Sequence, residues 1–370
     1  MMDREQILAW LQEEDPGRLT ELWNRADRVR ANTVGDEIHL RGLVEVSNHC
    51  RRDCAYCGIR RSNRRLVRYR LNTATILECA AAARQFGCRT VVLQGGEDPG
   101  LSCRSVEEVV TRIKLETGLA VTLSLGERSV DELARLRTAG ADRYLLRFET
   151  SNQELLERLH PPLPQGGPSR LELLHELRRL GYEIGSGVMV GLPGTRYEDL
   201  ASDLELFCQL DLDMIGVGPY VPHPQSPLSA KPPPRSPDVA VPATAQMTHK
   251  VLALARLVCP EANLPATTAL DTVDPDHGRR LGLTRGANVW MPTVTPPQVR
   301  ARYDIYPRPD HCGGSRAEAT AEIRRAIAGL GRSIAAHPGA RRRRSRPPDD
   351  LVLRTRAQGG PTPCCPSPTS

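Results

Sequence analysis

Short β-branched and apolar runs alternate along this chain with stretches in which apolar positions recur every three or four residues, from about residue 40 to residue 293. Compact apolar runs bounded by turn residues read as strands, and the 3.6-residue period reads as amphipathic helix. Eight strands are predicted, at 40–48, 90–95, 120–125, 143–149, 184–191, 214–219, 264–268 and 287–293. Helices are predicted between them, at 73–86, 106–116, 130–138, 170–180, 197–210 and 245–257. Alternating strands and crossover helices make a parallel sheet, and eight such units predict a closed (β/α)₈ TIM-type barrel, an α/β fold. Residues 1–39 form a short N-terminal helical extension, 40–310 the barrel and 311–337 a C-terminal helix; 338–370 are expected to be a disordered tail. The Pro-rich stretch 222–243 reads as a long irregular loop after the sixth strand.

Chemistry in such barrels is built at the carboxyl ends of the strands. Here the segments at those ends read CRRDCAYC, QGGEDP, SLGE, RFETS, GLPG, PYVPHP, ATTALDT and MPTVTPP, unusually polar and glycine-rich. They gather a cysteine cluster, carboxylate-bearing turns and a threonine pair on one face.

Composition narrows the class. The net charge of +6 sits almost wholly in residues 341–370, whose seven Arg and two Asp carry +5. A nearly neutral body argues against a nucleic-acid partner. The first residues lack a secretory signal, and no apolar run approaches the ~18 residues of a membrane span, so a cytoplasmic protein without a membrane partner is expected. Eleven cysteines in such a chain point to thiols and metal ligands rather than disulfides. Cys79, Cys88, Cys208 and Cys259 read as small apolar residues beside helices, and Cys103 as a loop residue.

Cys50, Cys54 and Cys57 stand apart: three thiols within eight residues, directly after the first strand. A 4Fe-4S cubane takes four ligands, so three thiolates leave one iron open to a small molecule. The alternative is a structural zinc loop, which normally needs a second ligand pair, and with the basic tail it would make a zinc-loop nucleic-acid-binding protein.

The CxxxCxxC loop, with Tyr56 before its last cysteine at the end of the first strand of a βα barrel, resembles the radical S-adenosylmethionine superfamily. The resemblance implies that Cys50, Cys54 and Cys57 bind a 4Fe-4S cluster, whose open iron is chelated by S-adenosyl-L-methionine. Reductive cleavage of that cofactor then gives a 5'-deoxyadenosyl radical. It further implies that Tyr56, Gly95, Gly96, Glu97, Ser124, Glu149, Arg170 and Met189 contact the cofactor. In this reading the glycine turn receives the methionyl ammonium, Glu149 the ribose or amino group, and Arg170 the methionyl carboxylate.

Segments from CGIRRSNRRLVRYRL to YDIYP, spanning about residues 40–307, are similar to the FeFe-hydrogenase maturase branch of that superfamily. That similarity implies a substrate pocket of Thr122, Arg147, Thr267, Thr268 and Tyr303, with Ser124 on its edge, and a cysteine-bound iron, carbonyl and cyanide precursor as substrate. It also implies an electron donor such as ferredoxin or flavodoxin, and other hydrogenase maturases as partners. Two departures stand out. Phe148 replaces the His usual in RFET, and only Cys312 lies where many members carry three cysteines, so no second cluster is expected. A methylornithine synthase-like mutase and a biotin synthase-like enzyme are rival reactions on the same scaffold.

Overall fold

A computed structural model describes residues 2–164, 166–230, 240–307 and 316–341. Eight parallel strands form one sheet: β1 (Glu37–Ser47), β2 (Thr90–Gly95), β3 (Ala120–Ser124), β4 (Arg143–Leu145), β5 (Glu183–Val190), β6 (Met214–Pro219), β7 (Pro265–Ala266) and β8 (Val289–Trp290). Their order is β6-β5-β4-β3-β2-β1-β8-β7, so consecutive strands are neighbours throughout. The barrel closes through a single bridge, Met214 to Asn263, with the Ile215 amide donating to the Asn263 carbonyl at 3.0 Å. The (β/α)₈ expectation is met. Strand alternation sends Leu40, Val44 and Val46 of β1 out to the helical ring, while Arg41 and Leu43 face the barrel interior. Ile76, Leu77, Ala80 and Ala83 of the helix Thr73–Gln85 belong to the same buried apolar cluster as the outward residues.

Two helices precede the barrel, Arg4–Gln12 with an Asp3–Gln6 capping box and Pro16–Val34 with Asp15 at its N-cap. Several expectations need correction. The predicted fourth strand ends at Leu145, because the chain bulges and Glu149 takes a left-handed backbone with φ of 65° before bridging to Val188. Thr268 opens the helix Thr268–Val273 rather than closing a strand, and Cys103 is the first residue of the helix Cys103–Thr117, not of a loop. The C-terminal helix runs Arg316–Gly329 and is followed by β9 (Ser333–Ile334), which pairs in parallel with the start of β1. The tail boundary also moves, since residues 338–341 are packed across the amino-terminal end of the barrel. The Pro338 carbonyl there accepts from Thr90 and Arg143, and that of Gly339 from Asn263 and Arg41. Residues 342–370, with Cys364 and Cys365, and the segment holding Cys312 lie outside the described residues. Among the described residues no helix is long and apolar enough to cross a membrane.

Candidate active site

One cavity of about 320 Å³ runs down the barrel axis from the loop after β1 to Arg41, Met214 and Val289 near the floor. Its size falls within the range of small-ligand sites. All the residues singled out in the sequence come together on its wall. Cys50, Cys54, Cys57 and Tyr56 lie at the mouth, with Gly95, Gly96 and Glu97 beside them; Ser124, Glu149, Arg170 and Met189 line it too. Thr122, Arg147, Thr267, Thr268 and Tyr303 complete the lining. Phe148, which stands where the similar maturases usually have His, lies away from the cavity. It packs against Phe207 in the outer core at a ring separation of 5.7 Å and takes no part in the cavity wall.

Local backbone geometry explains how the mouth is assembled. A Cβ on Gly96 would fall 2.3 Å from the His49 carbonyl and 2.8 Å from the Cys50 Cβ, so only glycine lets the β2 turn touch the cysteine loop. Gly126, with φ of 74°, leaves room for the Glu97 side chain, whose Cγ a Cβ there would meet at 1.9 Å. A capping box, Ser169 with Glu172, starts the helix Arg170–Arg179 and sets Arg170 in its first turn, facing the cavity.

The three thiols are held in an environment that disfavours isolated thiolates. Burial and the neighbouring Cys57 raise Cys54 well above its ordinary value, burial and Cys50 push Cys57 up to about 12, and burial raises Cys50. A thiol set of this kind becomes thiolate when bound cationic iron supplies the missing positive charge, so the donor set fits an iron-sulfur cluster. Among the described residues the group spaced to share one ion is Glu97, Glu127 and His160, not the three cysteines. The Glu97–Glu127–His160 group is in turn occupied by cations of the protein itself.

That group was not recognised in the sequence. Arg52 donates to Glu97 at 2.8 Å and to Glu127, while Arg170 reaches Glu127 at 3.0 Å and Glu97 at 3.9 Å. Burial alone would raise the Glu127 carboxyl, but His160 and Arg170 outweigh it and hold the group down at about 2. Burial works against the Arg170 charge, yet Tyr56, Glu149 and Glu127 hold its guanidinium protonated. His160 sets Nδ1 2.9 Å from the Cys54 sulfur and 3.5 Å from the Tyr56 hydroxyl. Burial keeps its imidazole below the usual value, hence neutral near pH 7. Arg147 pairs with Glu149 at 3.0 Å, and Gln94 donates to the Tyr303 hydroxyl at 3.2 Å. The buried Thr122 hydroxyl and Arg147 Nε have no hydrogen-bond partner, which leaves two polar groups for a ligand in the cavity.

The radical SAM superfamily model matches residues 44–207, and the chain belongs to that superfamily of enzymes. Over 304 residues it is 44% identical to the FeFe hydrogenase maturase subunit HydE of Thermotoga maritima, covering 82% of this chain and 84% of that protein. It is 28% identical over 286 residues to the 3-methylornithine synthase of Methanosarcina acetivorans, covering 76% of this chain and 77% of that one. Two solved structures share the fold. Methylornithine synthase PylB matches with a TM-score of 0.75 at 24% identity, over 90% of this chain and 94% of that one. The hydrogenase maturase HydG matches with a TM-score of 0.74 at 18% identity, over 90% and 73%.

Proposed function

We propose that the protein is a hydrogenase maturase of the HydE kind, acting on a small cysteine-bound iron carbonyl cyanide precursor of the diiron subcluster. The observation that carries this reading is the continuous cavity, with soft sulfur donors at its mouth and hydroxyl and guanidinium donors below them. Cys50, Cys54 and Cys57 would hold the 4Fe-4S cluster, and S-adenosylmethionine would bind beside it. Together these supply reductive cleavage of the sulfonium bond to a 5'-deoxyadenosyl radical.

The chain's own residues do the rest. The Gly95–Gly96 turn exposes backbone to an ammonium, Glu97 and Glu149 offer carboxylates, Arg170 offers a fixed positive charge, and Tyr56 and Met189 offer contact area. Thr122, Ser124 and Thr268 with Arg147 suit an amino-acid carboxylate, while Thr267, whose hydroxyl donates to the Val217 carbonyl, and Tyr303, which accepts from Gln94, would shape the same wall. Residues 338 and 339, bonded to Arg143 and Asn263, cover the floor, so ligands would enter by the mouth.

The test uses anaerobically reconstituted protein with S-adenosylmethionine and either the iron-cysteine precursor or lysine. The reading expects the precursor, and not lysine, to raise 5'-deoxyadenosine formation above the level seen with S-adenosylmethionine alone. Turnover of lysine alone would replace it with the mutase. Thr122→Val should raise KM for the precursor by about tenfold, the cost of one lost hydrogen bond in a closed site.

A further inference from the structure

The reaction proposed above needs an electron from outside, and the surface over the cysteine loop has a charge distribution that the active site does not use. Residues 58–70, which follow Cys57 directly, hold six arginines and no acidic residue. Three are engaged locally. Arg60 pairs with Asp53 at 2.9 Å, Arg70 with Asp98 at 2.6 Å, and Arg68 donates to backbone carbonyls including those of Ile59 and Asn63. Arg61, Arg64 and Arg65 are exposed, and among the described residues none has an acidic side chain within ion-pair distance. Gathering unpaired like charges raises local repulsion, and a partner of opposite charge relieves it.

Next to these arginines stands Val67, 62% exposed, one of two large apolar side chains standing free in solvent among the described residues. The Asn48 amide donates to both the Val67 and Arg302 carbonyls, at 3.0 and 2.7 Å, which places exposed Arg302 beside it. The inner side of the same segment packs Ile59 and Leu66 in a small apolar cluster that includes Cys57. One face of this loop therefore touches a proposed cluster ligand while the other is a cationic surface with an apolar contact. An apolar spot ringed by one sign of charge steers a partner and then seats it. Exposed aromatic side chains, the stacking platforms of single-strand nucleic-acid binders, are absent from residues 58–70, where Tyr69 is buried.

We infer that Arg61, Arg64, Arg65 and Val67 form the docking face for a small, strongly acidic one-electron carrier protein. The reduced carrier is oxidised by one electron, and the cluster held by Cys50, Cys54 and Cys57 is reduced by one.

The experiment uses the reconstituted holoenzyme and the variant Arg61→Glu/Arg64→Glu/Arg65→Glu, with matched iron content. Cluster reduction is followed by stopped-flow absorbance, with a reduced acidic 2Fe-2S ferredoxin as one donor and a photoreduced deazaflavin, which needs no docking face, as the other. The expected result is a second-order rate with ferredoxin lowered about tenfold or more in the variant and an unchanged rate with deazaflavin. The wild-type ferredoxin rate should fall as ionic strength rises past ~0.1 M, where the Debye length is about 10 Å. That measurement stands even if the variant loses its cluster. Equal ferredoxin rates in the two proteins, a salt-independent wild-type rate, or patch-dependent binding of a single-stranded RNA with no change in reduction would overturn the inference. Failure of wild-type protein to be reduced by deazaflavin would instead remove the proposed function on which it rests.

Discussion

The two ends of the barrel use buried arginines differently. At the floor, Arg41 and Arg143 donate to the carbonyls of Gly339 and Pro338, and Arg143 also pairs with Glu183. Their donors close the barrel around a chain segment. At the mouth, Arg52 and Arg170 pair with Glu97 and Glu127 around the thiols. The energetic signature differs as well: burial and then Arg143 lower Arg41 to about 9, whereas acidic neighbours keep Arg170 charged. Fixed charges around a cavity mouth cost no reorganisation when a zwitterionic ligand arrives, while the floor arginines hold structure.

This contrast can be broken from either end. The largest effect is expected from Arg170→Met, which leaves Glu127 and Glu97 with less cationic compensation in a buried network. Loss of one partner of such a group costs about 3–5 kcal/mol, so urea unfolding should show that decrease together with weakened S-adenosylmethionine binding. Next is the acid response of Glu127. Its folded pKa of about 2 lies below the ordinary carboxylate value of 4.5, so its contribution is complete above about 4.5 and is lost as pH falls toward 2. The shift corresponds to about 3 kcal/mol at most, and stability curves of wild type and Glu127→Gln should converge across that window. The smallest effect is expected at the floor. Arg143→Met should lower stability by about 1–3 kcal/mol, because Glu183 is partly exposed and still holds the Arg341 amide. S-adenosylmethionine affinity should not change in that variant, and a parallel loss would show that floor and mouth are one network.

Much of the fold was legible because most strands have strong local signals. The second and sixth, at 90–95 and 214–219, match at both ends. The fourth was overextended because the left-handed turn at Glu149 carries no glycine to announce it. β9 pairs with the start of β1 through only two residues, from the far end of the chain, and the Pro- and Arg-rich sequence after it looked like tail. At the site, the cysteine spacing and the glycine turn identified themselves. Glu127 lay in a loop already seen as polar, and its role appears only when Arg52 and Arg170 converge on it. His160 ends the short helix Gln153–Leu159, which the periodicity did not mark, and nothing local connects it to Cys54, 106 residues away.

The central claim is that the three-cysteine loop over this cavity is a cluster site for S-adenosylmethionine cleavage. It is tested most directly by anaerobic reconstitution with iron and sulfide, dithionite reduction with S-adenosylmethionine, and chromatography for 5'-deoxyadenosine, in wild type and Cys54→Ala. The account predicts a brown, iron-loaded wild type that forms 5'-deoxyadenosine and a variant that forms none. A wild type that takes up zinc in place of iron, or forms no 5'-deoxyadenosine with its cluster reduced, would contradict it.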